Sequence, residues 1–327
     1  MVVLAIGVTP DTELAKEAGL ELGIKGSIVV NDRMETSVPD IYAAGDAVQV
    51  KHYVTGDDAL ISLAGPANKQ GRIIADNICG GDSRYLGSQG SSVIKVFDMT
   101  AAITGINETN AQRSGLEIDT VILSPMSHAG YYPGGKVMTM KVVFEKETYR
   151  LLGAQIIGYE GVDKRIDVLA TAIHAGLKAT QLKDLDLAYA PPYSSAKDPV
   201  NMAGFMIDNI AKGTLKQWHM EDMDKISKDK NVVLLDVRTA GEFNRDHMDG
   251  FKNIPVDELR ERINEIEKEK PVYLICQSGL RSYIASRILE GNGYETYNLS
   301  GGSRFYDAVV NDRALIERSY ACGMDLI

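Results

Sequence analysis

Pro271-Val272-Tyr273-Leu274-Ile275 is a short apolar run with the β-branched and aromatic bias of a buried strand. Ile284, Ala285, Ile288 and Leu289 follow at helical spacing, which predicts a helix from Arg281 to Leu289. Near the start, Val2 to Val8 reads as a continuous apolar strand ending at Thr9-Pro10, and Ile28-Val29-Val30 as a second. Asp11 or Thr12 can cap a short helix from Glu13 to Ala18, closed by Gly19. Ile41 to Ala44 predicts a short buried strand; Gly45 then permits a tight turn, and Asp46 lies at the strand's carboxyl end. Leu60 to Ile78 predicts one long helix, with Leu63, Ala67, Gln70, Ile74 and Ile78 on one side and Gly80-Gly81 stopping it. From residue 90 to about 212 the pattern changes. Val93–Phe97, Thr100–Gly105, Val137–Phe144 and Leu151–Gly158 read as strands, the last two joined by a hairpin through Lys146-Glu147-Thr148. Arg165–Ala175 and Gln181–Leu185 read as helical. Thr214 to Ser227, rich in charge and holding Trp218, reads as a linker.

The chain has 327 residues, room for two or three domains, and its 44% hydrophobic content is ample for their cores. A net charge of −10 argues against a nucleic-acid surface. No apolar run reaches the length of a membrane span. Cys79, Cys276 and Cys322 are far apart with no paired spacing, which fits a reducing cytoplasm rather than a disulfide scaffold. Met1 to Gly7 lacks the basic start of a signal peptide and reads as a core strand, so the chain looks like part of a longer one. His174 reads as structural on an apolar helix face, His52 and His128 have no partner spacing, and no metal site is evident. Lys136 and Arg165 are candidates for nucleotide phosphates, against the plainer reading of surface cations.

Cys276-Gln277-Ser278-Gly279-Leu280-Arg281 carries the candidate chemistry. A cysteine at the end of a buried strand opens a tight loop into a helix N-terminus, where backbone N–H groups are unpaired and the dipole favours negative charge. With Arg281 adding a fixed cation, the setting suits a nucleophilic thiolate. The plainer reading is a buried structural cysteine, which would not need Gly279 and Arg281 at these offsets. The loop resembles the active loop of rhodanese (sulfurtransferase) domains. Val232–Arg238, Glu242-Phe243, His247, Asn253-Ile254-Pro255 and Asn298–Gly302 fit that family in order. Four residues (Gln277 to Leu280) separate Cys276 from Arg281, one fewer than in a phosphatase cradle, which suits a sulfur atom or persulfide better than a phosphate.

Two further stretches resemble another family. Ala5–Pro10, followed by Thr36…Ala44-Gly45-Asp46, is similar to the second half of the FAD domain of two-dinucleotide-fold flavoprotein disulfide reductases. The resemblance implies that Asp46 binds the ribityl–pyrophosphate region of FAD, with Gly45, Thr9 and Pro10 alongside it. Ala64 and Gly65 would open a helix aimed at the flavin ring. Residues 90–212, with the phrase Gly153–Gly158, resemble that family's dimerisation domain. Many members carry a His-Glu pair there. This chain has Tyr189-Ala190-Pro191-Pro192-Tyr193, with Tyr131-Tyr132 upstream, which resembles coenzyme A-disulfide reductases and CoA-persulfide or polysulfide reductases. The resemblance makes Tyr189 and Tyr131 the acid groups, Tyr193 and Tyr132 being close alternatives; packing of a dimer interface is the plainer role.

The implied fold is α/β and α+β: a partial FAD-binding two-dinucleotide-fold domain at 1–86, an α+β dimerisation domain at 87–212 and an α/β rhodanese domain at 213–327. The implied protein is a homodimeric, cytoplasmic CoA-disulfide or CoA-persulfide reductase acting on a small thiol or disulfide, with a persulfide formed on Cys276. FAD has only a half-site here. NAD(P)H and coenzyme A are implied for the intact enzyme, since no strand followed by Gly-x-Gly-x-x-Gly occurs. Two narrower alternatives are a sulfurtransferase on a non-catalytic dimerising scaffold and a flavin-binding or dimer-forming module without turnover.

Overall fold

The computed structural model describes residues 7–319, with side chains through 314. Residues 2–6 of the first expected strand, and Cys322, lie outside the described residues; Gly7 and Val8 are in no regular element. Helix α1 (Glu13–Glu17) forms where expected, but Thr12 does not cap it: the hydroxyl donates to the Gly26 carbonyl at 2.7 Å. Strands β1 (Ile28–Val29), β2 (Val48–Lys51) and β3 (Asp58–Ala59) make a small sheet, β1 parallel and β3 antiparallel to β2. The strand expected at Ile41–Ala44 is absent. Asp40 has φ 65°, and the Thr36 N–H bonds the Ile41 carbonyl, so the segment folds back on itself with one bridge, Glu35 to Tyr42. Asp46 therefore precedes β2 instead of following a strand. Helix α2 (Ala64–Ile78) starts four residues later than expected. A start at Leu60 would put Pro66 in the helix interior, whereas the observed start leaves it in the tolerated first turn.

Strands β4 (Ser92–Val96) and β5 (Met99–Gly105) are followed by α3 (Glu108–Arg113), β6 (Ile118–Leu123), β7 (Thr139–Glu145) and β8 (Leu151–Gly158). They form an antiparallel sheet in the order β4-β5-β8-β7-β6. Helix α4 (Val162–His174) packs on β5 and β8, and α5 (Pro199–Ala211) on β6. The turn of helix expected at Gln181–Leu185 is 3-10, over Ala179–Asp184. His174 is exposed, not buried on an apolar face, and stacks on Tyr53 with ring centroids 5.0 Å apart.

The third sheet is parallel, ordered β11-β10-β12-β13-β9. Its strands are β9 (Gln217–Trp218), β10 (Val233–Asp236), β11 (Lys252–Asn253), β12 (Val272–Ile275) and β13 (Thr296–Leu299). Helices α6 (Met223–Ile226), α7 (Ala240–Arg245), α8 (Leu280–Glu290) and α9 (Gly302–Ser319) surround it. Successive strand residues serve opposite faces: Leu235 and Leu274 pack with Ala285 and Leu289 of α8, while Leu234, Ile275 and Leu299 pack with Trp218 and Met223. The stretch 214–227 is therefore not a linker. Trp218, 2% exposed, is an edge-strand residue whose indole N–H reaches the Leu274 carbonyl at 3.4 Å. Among the described residues no helix is long and apolar enough to cross a membrane.

Candidate functional site

Strand β12 is the middle strand of the parallel sheet, and Cys276 is the first residue past its carboxyl end, where ligands of open α/β sheets bind. Parallel pairing of β10 and β13 on either side buries Cys276 completely. Gly279, at φ 92°, turns the chain into α8 without a side-chain cap, so the opening amides stay free for a ligand. Its own N–H points at Cys276 Sγ at 3.1 Å, and the Ser282 hydroxyl lies 3.2 Å from the same sulfur. The Asn298 amide holds the Gly279 carbonyl at 3.0 Å from below. Gln277 and Leu280 stand exposed at the rim and Ser278 is half-buried. The result is a small cup of donors around one sulfur.

Arg281 does not face open solvent. Its Nη1 and Nη2 donate to the two carboxylate oxygens of Glu242 at 2.6 and 2.7 Å. That carboxylate also accepts from the Thr239 backbone N–H and hydroxyl at the start of α7, as a capping box. The Arg281 hydrogen bond, supported by Thr239 and opposed by burial, holds the Glu242 carboxyl down at about 2. A depressed carboxylate stabilises the fold above its ordinary range and loses that contribution as pH falls toward the folded value. The stability difference between the parent and Glu242→Gln should therefore be full at neutral pH and vanish as pH drops from about 4.5 to about 2, measured by urea unfolding across that range.

Tyr131 and Tyr189 come together in the antiparallel-sheet domain, their hydroxyls 2.9 Å apart. Both are exposed. The Tyr131 hydroxyl, with partial desolvation, raises the Tyr189 phenol above its ordinary value, so Tyr189 stays neutral and able to donate near neutrality. A cavity of about 490 Å³ adjoins Tyr189, lined also by Lys164, Glu160, His128 and Tyr193. Tyr132 instead packs edge-on against His128. Arg165 is not a phosphate ligand: it is buried under this cavity and bound to buried Asp198 at 2.9 Å through Nη2, with Nε at 3.2 and 3.4 Å. It also donates to the carbonyls of Gly161, Ser127 and Tyr193.

The third cluster is looser. Gly45, at φ 82°, is tied to α2 by its N–H, which donates to the Gln70 side chain at 2.7 Å. Asp46 is exposed, and α2 has no side-chain cap while Ala64 and Gly65 at its start are exposed. An exposed carboxylate beside an uncapped helix start suits a polyhydroxyl, anionic ligand such as a flavin nucleotide. Thr9 and Pro10 lie in an irregular segment and make no hydrogen bond to this cluster among the described residues. No group of three or more His, Cys, Asp or Glu that could hold a metal occurs among them either.

Sequence reasoning assigned no role to Ser282, Glu242 or Asp198. The Asp198-Pro199 pair was a usable signal, since Asp as cap with Pro at the first helical position marks a helix start. Thr239-x-x-Glu242 was a usable signal too, as the spacing of a capping box, and Ser282 directly follows the cysteine loop; what no local pattern shows is the Glu242 contact with Arg281.

The chain matches family descriptions in three places. These are "Pyridine nucleotide-disulphide oxidoreductase" over residues 1–71, "Pyridine nucleotide-disulphide oxidoreductase, dimerisation domain" over 91–199 and "Rhodanese-like domain" over 219–307. It is 40% identical over 200 residues to an NAD(P)H sulfur oxidoreductase (CoA-dependent) of Pyrococcus abyssi, covering 61% of this chain and 45% of that one. It is 36% identical over 207 residues to coenzyme A disulfide reductase of Staphylococcus aureus, covering 63% and 47%. Among solved structures it is similar to reduced Bacillus anthracis CoADR-RHD, at 47% identity and TM-score 0.93 over 96% of this chain and 56% of that one. A NAD-dependent persulfide reductase from A. fulgidus follows at 42% identity and TM-score 0.85, over 92% and 54%. The chain thus spans about half the length of these relatives.

Proposed function

We propose that this chain, which belongs to the pyridine nucleotide-disulphide oxidoreductases and carries a rhodanese-like domain, accepts sulfane sulfur on Cys276 and serves thiol–disulfide chemistry through Tyr131 and Tyr189. The whole enzyme would be a CoA-disulfide or CoA-persulfide reductase, with NAD(P)H and coenzyme A as the small molecules named for its relatives. In this reading residues 1–86 hold part of an FAD site, 87–212 dimerise and 213–327 transfer sulfur. Asp46, Gly45, Thr9, Pro10, Ala64 and Gly65 would hold FAD, which when bound supplies two-electron redox chemistry. A homodimer would cover Val93, Ile94, Val96 and Phe97, apolar side chains left exposed on and beside edge strand β4. A free working thiol at Cys276 fits a reducing, cytoplasmic setting.

The Cys276 step balances without an outside oxidant. The thiolate attacks the outer sulfur of a persulfide R–S–SH; the new Cys276 S–S bond forms as the donor's own S–S bond breaks, and R–S⁻ leaves and takes the proton that the outer sulfur carried. The Gly279 N–H and the amides opening α8 receive the charge on the terminal sulfur. At Tyr189, a neutral phenol backed by Tyr131 donates a hydrogen bond to a departing thiolate.

The observation that carries the reading is the Gly279 N–H aimed at the Cys276 sulfur. Its test is incubation with glutathione persulfide followed by peptide mass spectrometry. One added sulfur is expected on the Cys276 peptide, removed by cyanide, and none on exposed Cys79. Sulfur on Cys79 alone, or on neither, would sink it.

A further inference from the structure

Strand β6 is an outer strand of the antiparallel sheet, and such an edge leaves backbone groups unpaired. Here side chains of the sulfurtransferase domain satisfy them. Ser300 Oγ accepts from the Ile122 N–H at 3.1 Å in a buried contact, and Gln217 Nε2 donates to the Thr120 carbonyl at 2.7 Å. Residues 120 and 122 present these groups on one edge, so the two contacts set a register. Asp119 adds bonds to Gln217 Nε2 at 3.0 Å and to His219 Nε2 at 3.2 Å. Burial opposes its charge, but the bonds from His219, its neighbouring amide and Gln217 outweigh that and hold its carboxyl below the ordinary value.

The far side of the same segment touches the cup. Gly301 sits so close to Ile122 that a Cβ there would be 3.0 Å from its side chain. Gly302 lies against the backbone of Cys276 and Gln277. The N–H groups of Ser303 and Arg304 donate to the carbonyls of Cys276 and Gln277 at 2.9 and 3.0 Å. Five consecutive residues, 300–304, thus bond β6 at one end and the cysteine loop at the other.

We propose that strand β6 of the dimerisation domain sets the geometry of the Cys276 loop, with Ser300 as the positioning residue that transmits the contact. The sulfurtransferase domain is then not a free-standing module; its loop is shaped by the domain beside it. This rests on the reading of Cys276 as sulfur acceptor. The readout is steady-state transfer from glutathione persulfide to cyanide by the full chain, followed as thiocyanate. Ser300→Ala, which strands the Ile122 N–H, should lower kcat about tenfold while KM for the donor stays within about twofold, because misplaced reacting groups slow the step more than they weaken binding. Gln217→Ala, which loosens the joint from β9, should move kcat the same way. A parental kcat in Ser300→Ala overturns the proposal; should that chain not fold, a parental kcat in Gln217→Ala does. A parent whose Cys276 takes up no sulfur overturns the acceptor reading instead, which mass spectrometry shows separately.

Discussion

Arg165→Met is expected to destabilise the chain by about 3–5 kcal/mol, the cost of leaving one partner of a buried ion pair uncompensated. Arg165 is 1% exposed and Asp198 is 3%. The lost guanidinium also strands the Ser127 carbonyl, whose contact with Arg165 Nη2 is buried. Removing the remaining charge should recover part of the loss. Asp198→Asn keeps Oδ1 as acceptor for the Val200 N–H at the start of α5, and its new amide NH2 can donate to the Ser194 hydroxyl oxygen in place of the bond that Oδ2 accepted. The double variant Arg165→Met/Asp198→Asn should therefore be more stable than Arg165→Met alone, as read by urea unfolding at neutral pH. The effect reaches the tyrosines. Tyr131 lies four residues after Ser127 and Tyr189 four before Tyr193, so Arg165 pins both segments that present the pair. A single-variant loss below about 1 kcal/mol, the range of an exposed pair, would show that this cluster is not the clamp described.

How legible the chain was depended on how local each signal was. Strand β8 and the Cys276 loop came from contiguous patterns: an apolar run of strand length, then Gly279 and Arg281 at fixed offsets from Cys276. Strand β6 went unread, since Asp119 and Thr120 interrupt its apolar run and answer to Gln217 and His219 nearly a hundred residues away. Trp218 was misread for a similar reason. Two residues of edge strand among charges look like a linker until β13 pairs with them. Ile41–Ala44 failed in the opposite sense: it has strand composition, but the left-handed Asp40 turns it back before it can join a sheet. At the site, the pairing of Tyr131 with Tyr189 rests on fold-level proximity between two loops; family resemblance singles out the two residues, with Tyr132 and Tyr193 as alternatives, but not their contact. The Glu242 clamp on Arg281 likewise joins two helix starts that no sequence period connects.

Gly302→Ala should abolish most sulfur transfer while the sheet stays folded. Gly302 has φ 66°, a region that costs an L-residue roughly 1–2 kcal/mol. The larger problem is space. A Cβ there would sit 2.6 Å from the Cys276 carbonyl oxygen and 2.8 Å from both the carbonyl carbon and oxygen of Gln277, all backbone atoms that cannot swing away. Either the 300–304 segment withdraws, breaking the Ser303 and Arg304 bonds to the loop, or the loop moves and the Gly279 N–H loses its aim at the sulfur. A displacement near 1 Å is enough to cost on the order of a hundredfold in rate. Backbone strain alone is separated by Gly250→Ala. Gly250 has φ 86°, but its Cβ would meet only a Leu234 methyl at 3.6 Å, an ordinary contact. Both variants should lose some stability in urea, and only Gly302→Ala should lose thiocyanate formation from glutathione persulfide and cyanide. Equal losses of transfer in the two would mean that strain, not the crowding of Cys276 and Gln277, governs the loop.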